Sequence, residues 1–250
     1  MSRPRHPPDR AIRDALDAAV GALATGGGPD QIHAARTACK RARAAVDLWL
    51  VDPGPIDRAI RDAARLLAPA RDADVLRALA DHHGVSIAIA VPAAVDREAA
   101  ARSASWALRA AADLVARAAV DVGLEADRAT DRLIRSWRRA RRAVRRARAI
   151  GDAAALHDLR KRVKRTLHQA ELLGGRAAAA VAPGLDRLQR LLGDHHDAAE
   201  LVSRIDPADP RAEPLRVRLA DRTDQALALA RVVLAAHPRR FRQAIEADRR

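Results

Sequence analysis

Residues 156–173 read Leu156-His-Asp-Leu-Arg-Lys-Arg-Val-Lys-Arg-Thr-Leu-His-Gln-Ala-Glu-Leu-Leu173, and the fold turns on how this stretch is read. Leu156, Leu159, Val163, Thr166, Ala170 and Leu173 recur at spacings of three and four, the period of an amphipathic α-helix. Set out at about 100° per residue, His157, Arg160, Lys161, Lys164 and His168 share one stripe roughly 100° wide. The segment is therefore a helix with a buried seam and a cationic face.

The same helix occurs earlier in the chain. Ile32-His-Ala-Ala-Arg-Thr-Ala-Cys-Lys-Arg-Ala-Arg-Ala-Ala-Val-Asp-Leu-Trp49 aligns with it at an offset of 124. That offset matches His33 with His157, Arg36 with Arg160, Lys40 with Lys164, Arg41 with Arg165 and Asp47 with Glu171. Ile32, Ala35, Cys39, Ala42, Val46 and Trp49 form its apolar stripe, with His33, Arg36 and Lys40 expected roughly opposite. Cys39 thus reads as a core residue rather than a nucleophile. A second pair follows: Leu67-Ala-Pro-Ala-Arg-Asp-Ala-Asp-Val-Leu76 matches Leu192-Gly-Asp-His-His-Asp-Ala-Ala-Glu-Leu201 at an offset of 125, placing Asp72 opposite Asp197. Two element pairs in the same order at nearly constant spacing indicate a duplicated half. The first repeat is expected over about 10–125 and the second over about 126–250, facing a shared centre, with residues 1–9 a flexible N-terminus.

Composition agrees with an all-helical chain. Its 250 residues suit one large domain or two small ones. Alanine and arginine, both strong helix formers, dominate, while tyrosine is absent and phenylalanine occurs once. No alternating run of β-branched or aromatic residues marks a strand. A single cysteine excludes an internal disulfide framework and fits a reducing compartment. Neither a signal peptide nor an apolar run long enough to span a bilayer is evident, so a soluble, cytoplasmic protein with no membrane partner is expected. The proline-rich start and the Asp206-Pro-Ala-Asp-Pro210 turn are expected to be mobile.

Charge is unevenly spread. The formal net charge is +14, yet residues 131–170 alone hold 14 cationic against three acidic side chains, a net of +11. Such a field attracts polyanions, whereas a merely solubilising surface mixes both signs. A helix from Asp131 to about Ala149 contributes much of it. Leu133, Trp137, Ala140, Val144 and Ala147 mark its buried side, and Arg135, Arg138, Arg139, Arg142 and Arg146 the other. Gly151 as C-cap and Asp152 as N-cap would fold it back onto the Leu156 helix, aligning two basic stripes along one groove or pore. The chain has three lysines, Lys40, Lys161 and Lys164, all in the two repeated helices. Lysine is a compact phosphate-binding point charge, so that placement points to phosphate.

These residues resemble the CHAD family, the conserved histidine α-helical domain. Its repeated His-x-x-Arg-x-x-x-(Lys/Arg)-Arg helix stands here as His33, Arg36, Lys40, Arg41 and as His157, Arg160, Lys164, Arg165. Its Arg-Asp-x-Asp-Val element is Arg71-Asp72-Ala73-Asp74-Val75, and its Leu-Gly-x-x-x-Asp element runs from Leu192 to Asp197. The run from Ala230 to Phe241 is similar to the family's ending. The resemblance implies one helical-bundle domain of two pseudo-symmetric halves around a basic cavity that binds inorganic polyphosphate, without catalysis, cofactor or metal, and plausibly at polyphosphate granules. The second motif continues with Leu167 and His168, which leaves Arg43 without a basic mate.

The expected polyphosphate ligands are His33, Arg36, Lys40, Arg41, Arg135, Arg138, Arg139, Arg142, Arg146, His157, Arg160, Lys161, Lys164, Arg165 and His168. Asp72, Asp74 and Asp197, which would repel phosphate, are expected to cap helices or brace arginines, with His196 beside them. Two rival functions stand against this one. Charge alone also suits a nucleic-acid binder, although Trp49 and Trp137 lie on apolar stripes rather than on a stacking surface. His195-His196-Asp197 contains the His-Asp pair of a metal-dependent phosphohydrolase, costly beside an arginine-rich wall.

Overall fold

The protein was analysed as a computed structural model, which describes residues 8–87, 94–117 and 125–248. Ten helices and no strand occur among the described residues. They are α1 (Pro8–Ala24), α2 (Pro29–Trp49), α3 (Gly54–Leu66), α4 (Ala68–His83), α5 (Ala94–Arg117), α6 (Glu125–Ile150), α7 (Ala153–Leu173), α8 (Arg176–Val202), α9 (Ala212–Val233) and α10 (Pro238–Ala247). None of the described helices is long and apolar enough to cross a membrane. The flexible terminus expected at 1–9 falls almost wholly outside the described residues.

The chain forms two compact units. One comprises the described residues of 3–75 and 90–129, the other those of 76–89 and 130–250. Helices α4 and α6 are each divided between them: residues 68–75 and 125–129 belong to the first unit, 76–83 and 130–150 to the second.

In the first unit α1 packs on α2 and α5, and α3 on the same two helices. Pro29 at the first position of α2 sets a helical φ where a missing N–H costs nothing. The whole predicted stripe of α2 is buried, and Ala38, Ala44, Ala45 and Leu48 are buried with it. Gly27 is required by a close approach, since a Cβ there would lie 2.7 Å from the Arg97 carbonyl oxygen at the start of α5. Asp74 is enclosed, its side chain 6% exposed, and receives both guanidinium nitrogens of Arg97 at 2.5 and 3.0 Å. That pair ties α4 to α5.

In the second unit α8 carries α7, α9 and α10. Leu133, Trp137, Ala140, Val144 and Ala147 of α6 are buried, as their spacing predicts. The Trp137 indole donates to the Ala236 carbonyl at 3.0 Å and meets the Phe241 ring at 4.5 Å, which seats α10. Asp248 then caps α8 by accepting from the Ala177 N–H at 2.5 Å. The α6–α7 turn forms as predicted. Gly151 has φ +73° and donates to the Ala147 carbonyl, while the Asp152 carboxylate accepts from the Ala155 N–H at 2.7 Å.

The Asp206–Pro210 turn is bridged by its own side chains. Asp206 accepts from the Ala208 N–H at 2.9 Å, and Asp209 from the Arg211 N–H and guanidinium. Arg211 also reaches the Gly84 carbonyl. Side-chain acceptors tie down a loop whose proline content alone reads as loose.

Candidate functional site

Each unit presents a cationic helix face, built the same way. On α7, Arg160 lies with its guanidinium 3.8 Å from the Asp197 carboxylate of α8. On α2, its repeat mate Arg36 lies 4.0 Å from Asp72 of α4, the repeat mate of Asp197. Each of these carboxylates thus lies within ion-pair distance of an arginine. Asp74, by contrast, serves the α4–α5 contact through Arg97.

The two copies differ in how the arginine is held. Arg36 donates to the Ala64 carbonyl at 3.0 Å, in the last turn of α3, where helix carbonyls lack an intrahelical partner. It is accordingly more enclosed than the predicted position opposite the apolar stripe implies, because the cationic stripe runs beside that seam. Burial and the neighbouring Arg71 lower its proton affinity while Asp72 raises it. Arg160 instead crosses α8 at Gly193, where an added Cβ would lie 3.3 Å from its terminal nitrogen. The glycine is a notch that lets the guanidinium reach Asp197.

Around Arg160, Lys161 is exposed, and Lys164 and Arg165 are half-buried. On α2, His33, Lys40 and Arg41 are exposed. Along α6, Arg135, Arg138, Arg139, Arg142 and Arg146 are all exposed, so its predicted basic stripe faces solvent. Arg43 is set apart from these: it pairs with Asp57 at 2.7 Å, which Arg61 also engages. Burial opposes the Asp57 charge, but the hydrogen bonds from both arginines win and hold its carboxyl below the usual range.

The histidines divide. His157 is half-buried, its ring centroid 4.4 Å from that of His196, and its buried Nδ1 has no hydrogen-bond partner among the described residues. Burial first, then His196, Lys161 and Arg160, push its pKa down to about 4. His168 was expected on the cationic stripe, but the structure buries it: residues 166–170 are all buried, so periodicity no longer separates two faces there. Its Nδ1 meets Glu171 at 3.2 Å. His195 and His196 diverge, since His196 turns to His157 while His195 lines a pocket against α9 with Arg216 and Thr223. No cluster of three metal-ligating side chains occurs among the described residues. Cys39 is buried and its thiol is pushed up to about 11, chiefly by desolvation, as befits a core residue.

Two contributors escape a sequence reading. Arg71, close enough to Arg36 to perturb it, adds a cation to the α2 face. Gly193 acts by having no side chain. The available signal for both was their place inside the Arg-Asp-x-Asp and Leu-Gly-x-x-x-Asp elements.

Cationic helices whose arginines lie beside carboxylates of a neighbouring helix mark an all-helical class of domain. The chain matches the CHAD domain family over residues 10–206 and belongs to that family. It is similar in fold to the crystal structure of the CHAD domain from the plant Ricinus communis, at 19% identity and a TM-score of 0.61, covering 92% of this chain and 90% of that one. A comparison with curated proteins found no match.

Proposed function

We propose that the protein binds inorganic polyphosphate, without turning it over, through the cationic faces of α2, α6 and α7. The observation that carries this reading is the duplicated arginine–carboxylate pair, Arg36 with Asp72 and Arg160 with Asp197. Polyphosphate offers closely spaced anionic oxygens and no base edges. It calls for donors on rigid supports, at the ~1.5 Å rise per residue of a helix, and for no stacking platform. Arginines oriented by carboxylates supply directional donors, and the three lysines supply point charges beside them. Association with polyphosphate granules in the cytoplasm is part of the same proposal.

Titration with polyphosphate of defined length, competed by single-stranded DNA, ATP and orthophosphate, tests the proposal. Polyphosphate is expected to displace DNA at far lower phosphate concentration. Equal or better binding of DNA overturns it.

One observation favours a secondary nucleic-acid affinity. Trp106 on α5 is 76% exposed, with Arg102 one turn before it and Arg109 one turn after, both exposed. An exposed indole between guanidinium groups is a stacking surface for bases. Trp106→Ala should weaken DNA binding and leave polyphosphate binding intact.

A further inference from the structure

We propose that the His157–His196 pair couples ligand binding to proton uptake, so that the second cationic face completes its positive charge only when a polyanion arrives or the surroundings acidify. The inference rests on the polyphosphate reading and assigns a regulation to that site.

The repeat alignment first singles out the pair. Where the second half has His196, the offset of 125 places Arg71 in the first. The first face therefore carries a permanent guanidinium at this position, close to Arg36. The second carries an imidazole, whose charge is conditional. One half is constitutively cationic and its duplicate is titratable.

Geometry then shows what opposes a proton on His157. The two imidazoles sit with centroids 4.4 Å apart and planes tilted by 39°, so charging both places like charges side by side. Arg160 and Lys161 on α7 add to the opposing field, and Asp158 on the same helix offsets it in part. From α8, Asp197 is engaged with Arg160, and His195 adjoins His196. Helix α9 brings Arg222 beside His195, while α10 brings Asp248 only to the far end of α8, at Arg176 and Ala177. The surroundings thus disfavour a proton on His157 until an anion enters.

The buried Nδ1 of His157, which has no hydrogen-bond partner among the described residues, is the second element. A buried nitrogen left unpaired costs free energy that a hydrogen bond recovers. A phosphoryl oxygen held by Arg160 or Lys161 would reverse the sign of the local field and make the imidazolium the favoured form. Reciprocity follows: if the anion raises proton affinity, protons raise anion affinity.

Isothermal titration calorimetry on the full chain tests this, with long-chain polyphosphate, in which titrating end groups are scarce. Pairs of buffers with different ionisation enthalpies are compared between pH 5.5 and 8. Near neutral pH, uptake approaching one proton per site is expected, with affinity weakening by up to about tenfold per pH unit. His157→Asn, checked for helicity by circular dichroism, should abolish most of the uptake and flatten the pH dependence, whereas His196→Asn, which removes a repelling neighbour, should move the uptake to higher pH. Binding in the wild-type protein without proton uptake overturns the coupling and spares the receptor reading. Uptake that persists unchanged in both variants also overturns it, by moving the proton elsewhere. Absence of polyphosphate binding at every pH overturns the receptor reading, and the coupling with it. The wild-type measurement decides the matter even if a variant fails to fold.

Discussion

Arg160 crosses Gly193 to bring its guanidinium within 3.8 Å of the Asp197 carboxylate. The glycine and the aspartate belong to one motif, four residues apart on α8, and the arginine to another on α7. Each explains the other: a side chain at 193 would occupy the arginine's path, and a neutral group at 197 would remove what aims it.

Gly193→Ala separates binding from stability. Alanine in a helix interior is favoured over glycine by about 1 kcal/mol. The contact it creates, 3.3 Å from Arg160, is with the far end of a movable side chain. Thermal unfolding should therefore shift upward or stay level, while polyphosphate affinity falls several-fold because Arg160 is displaced. Unchanged affinity would show that the arginine's path is immaterial.

Removing charge from the α7 face should read out as counterion release. Arg160→Ala combined with Lys164→Ala deletes two cations. By analogy with single-stranded nucleic acid, the slope of log affinity against log salt should become shallower by about 1.4. Affinity at low salt should fall by one or more orders of magnitude, since each charge-assisted hydrogen bond contributes about 1.5–3 kcal/mol. Circular dichroism should show helicity intact, because both side chains lie off the apolar seam.

Arg97→Ala addresses stability alone. It leaves the Asp74 carboxylate, 6% exposed, without its bidentate partner. Breaking a buried pair from one side costs about 3–5 kcal/mol. Chemical denaturation should show a loss of that order, and Asp74→Asn added to the variant should recover part of it by removing the stranded charge.

Without ligand, the protein should lose stability on mild acidification. His157 has a folded pKa of about 4, below its ordinary value of 6.5. Between those values the unfolded chain binds a proton that the folded chain refuses, so stability falls as pH drops from 6.5 towards 4 and this contribution levels off below. His195, lowered chiefly by burial, acts in the same sense. Denaturation midpoints measured across that window should decline in the wild-type protein and decline less in His157→Asn. Saturating polyphosphate should oppose the decline, because the ligand favours the protonated ring.

Much of the architecture was legible in the residues themselves. The seams of α2, α6 and α7 are apolar at helical spacing, and nearly every residue assigned to them is buried; Leu173, at the end of α7, is half-buried. Gly151 and Asp152 act through backbone conformation and a side chain three residues away, which is local chemistry. The Arg36–Asp72 and Arg160–Asp197 pairings were foreseeable because the duplication offers each arginine the same partner twice.

What escaped was set by neighbours distant in the chain. Periodicity places His168 on the cationic stripe, but packing surrounds that end of α7 and buries it. It assigns Arg36 to an open face, yet a carbonyl 28 residues away claims one of its nitrogens. It treats Asp72 and Asp74 alike, although the arrival of Arg97 from α5 makes only the second a buried strut.

Sequence by itself determined which faces are apolar, which are cationic and how the turn between α6 and α7 is capped, because these depend on interactions reaching little more than one helical turn. Tertiary structure alone decided which arginines lie beside a carboxylate and which imidazoles are enclosed and resist a proton. Desolvation and Coulomb terms depend on the residues that folding brings within a few ångströms, and the spacing along the chain does not contain them.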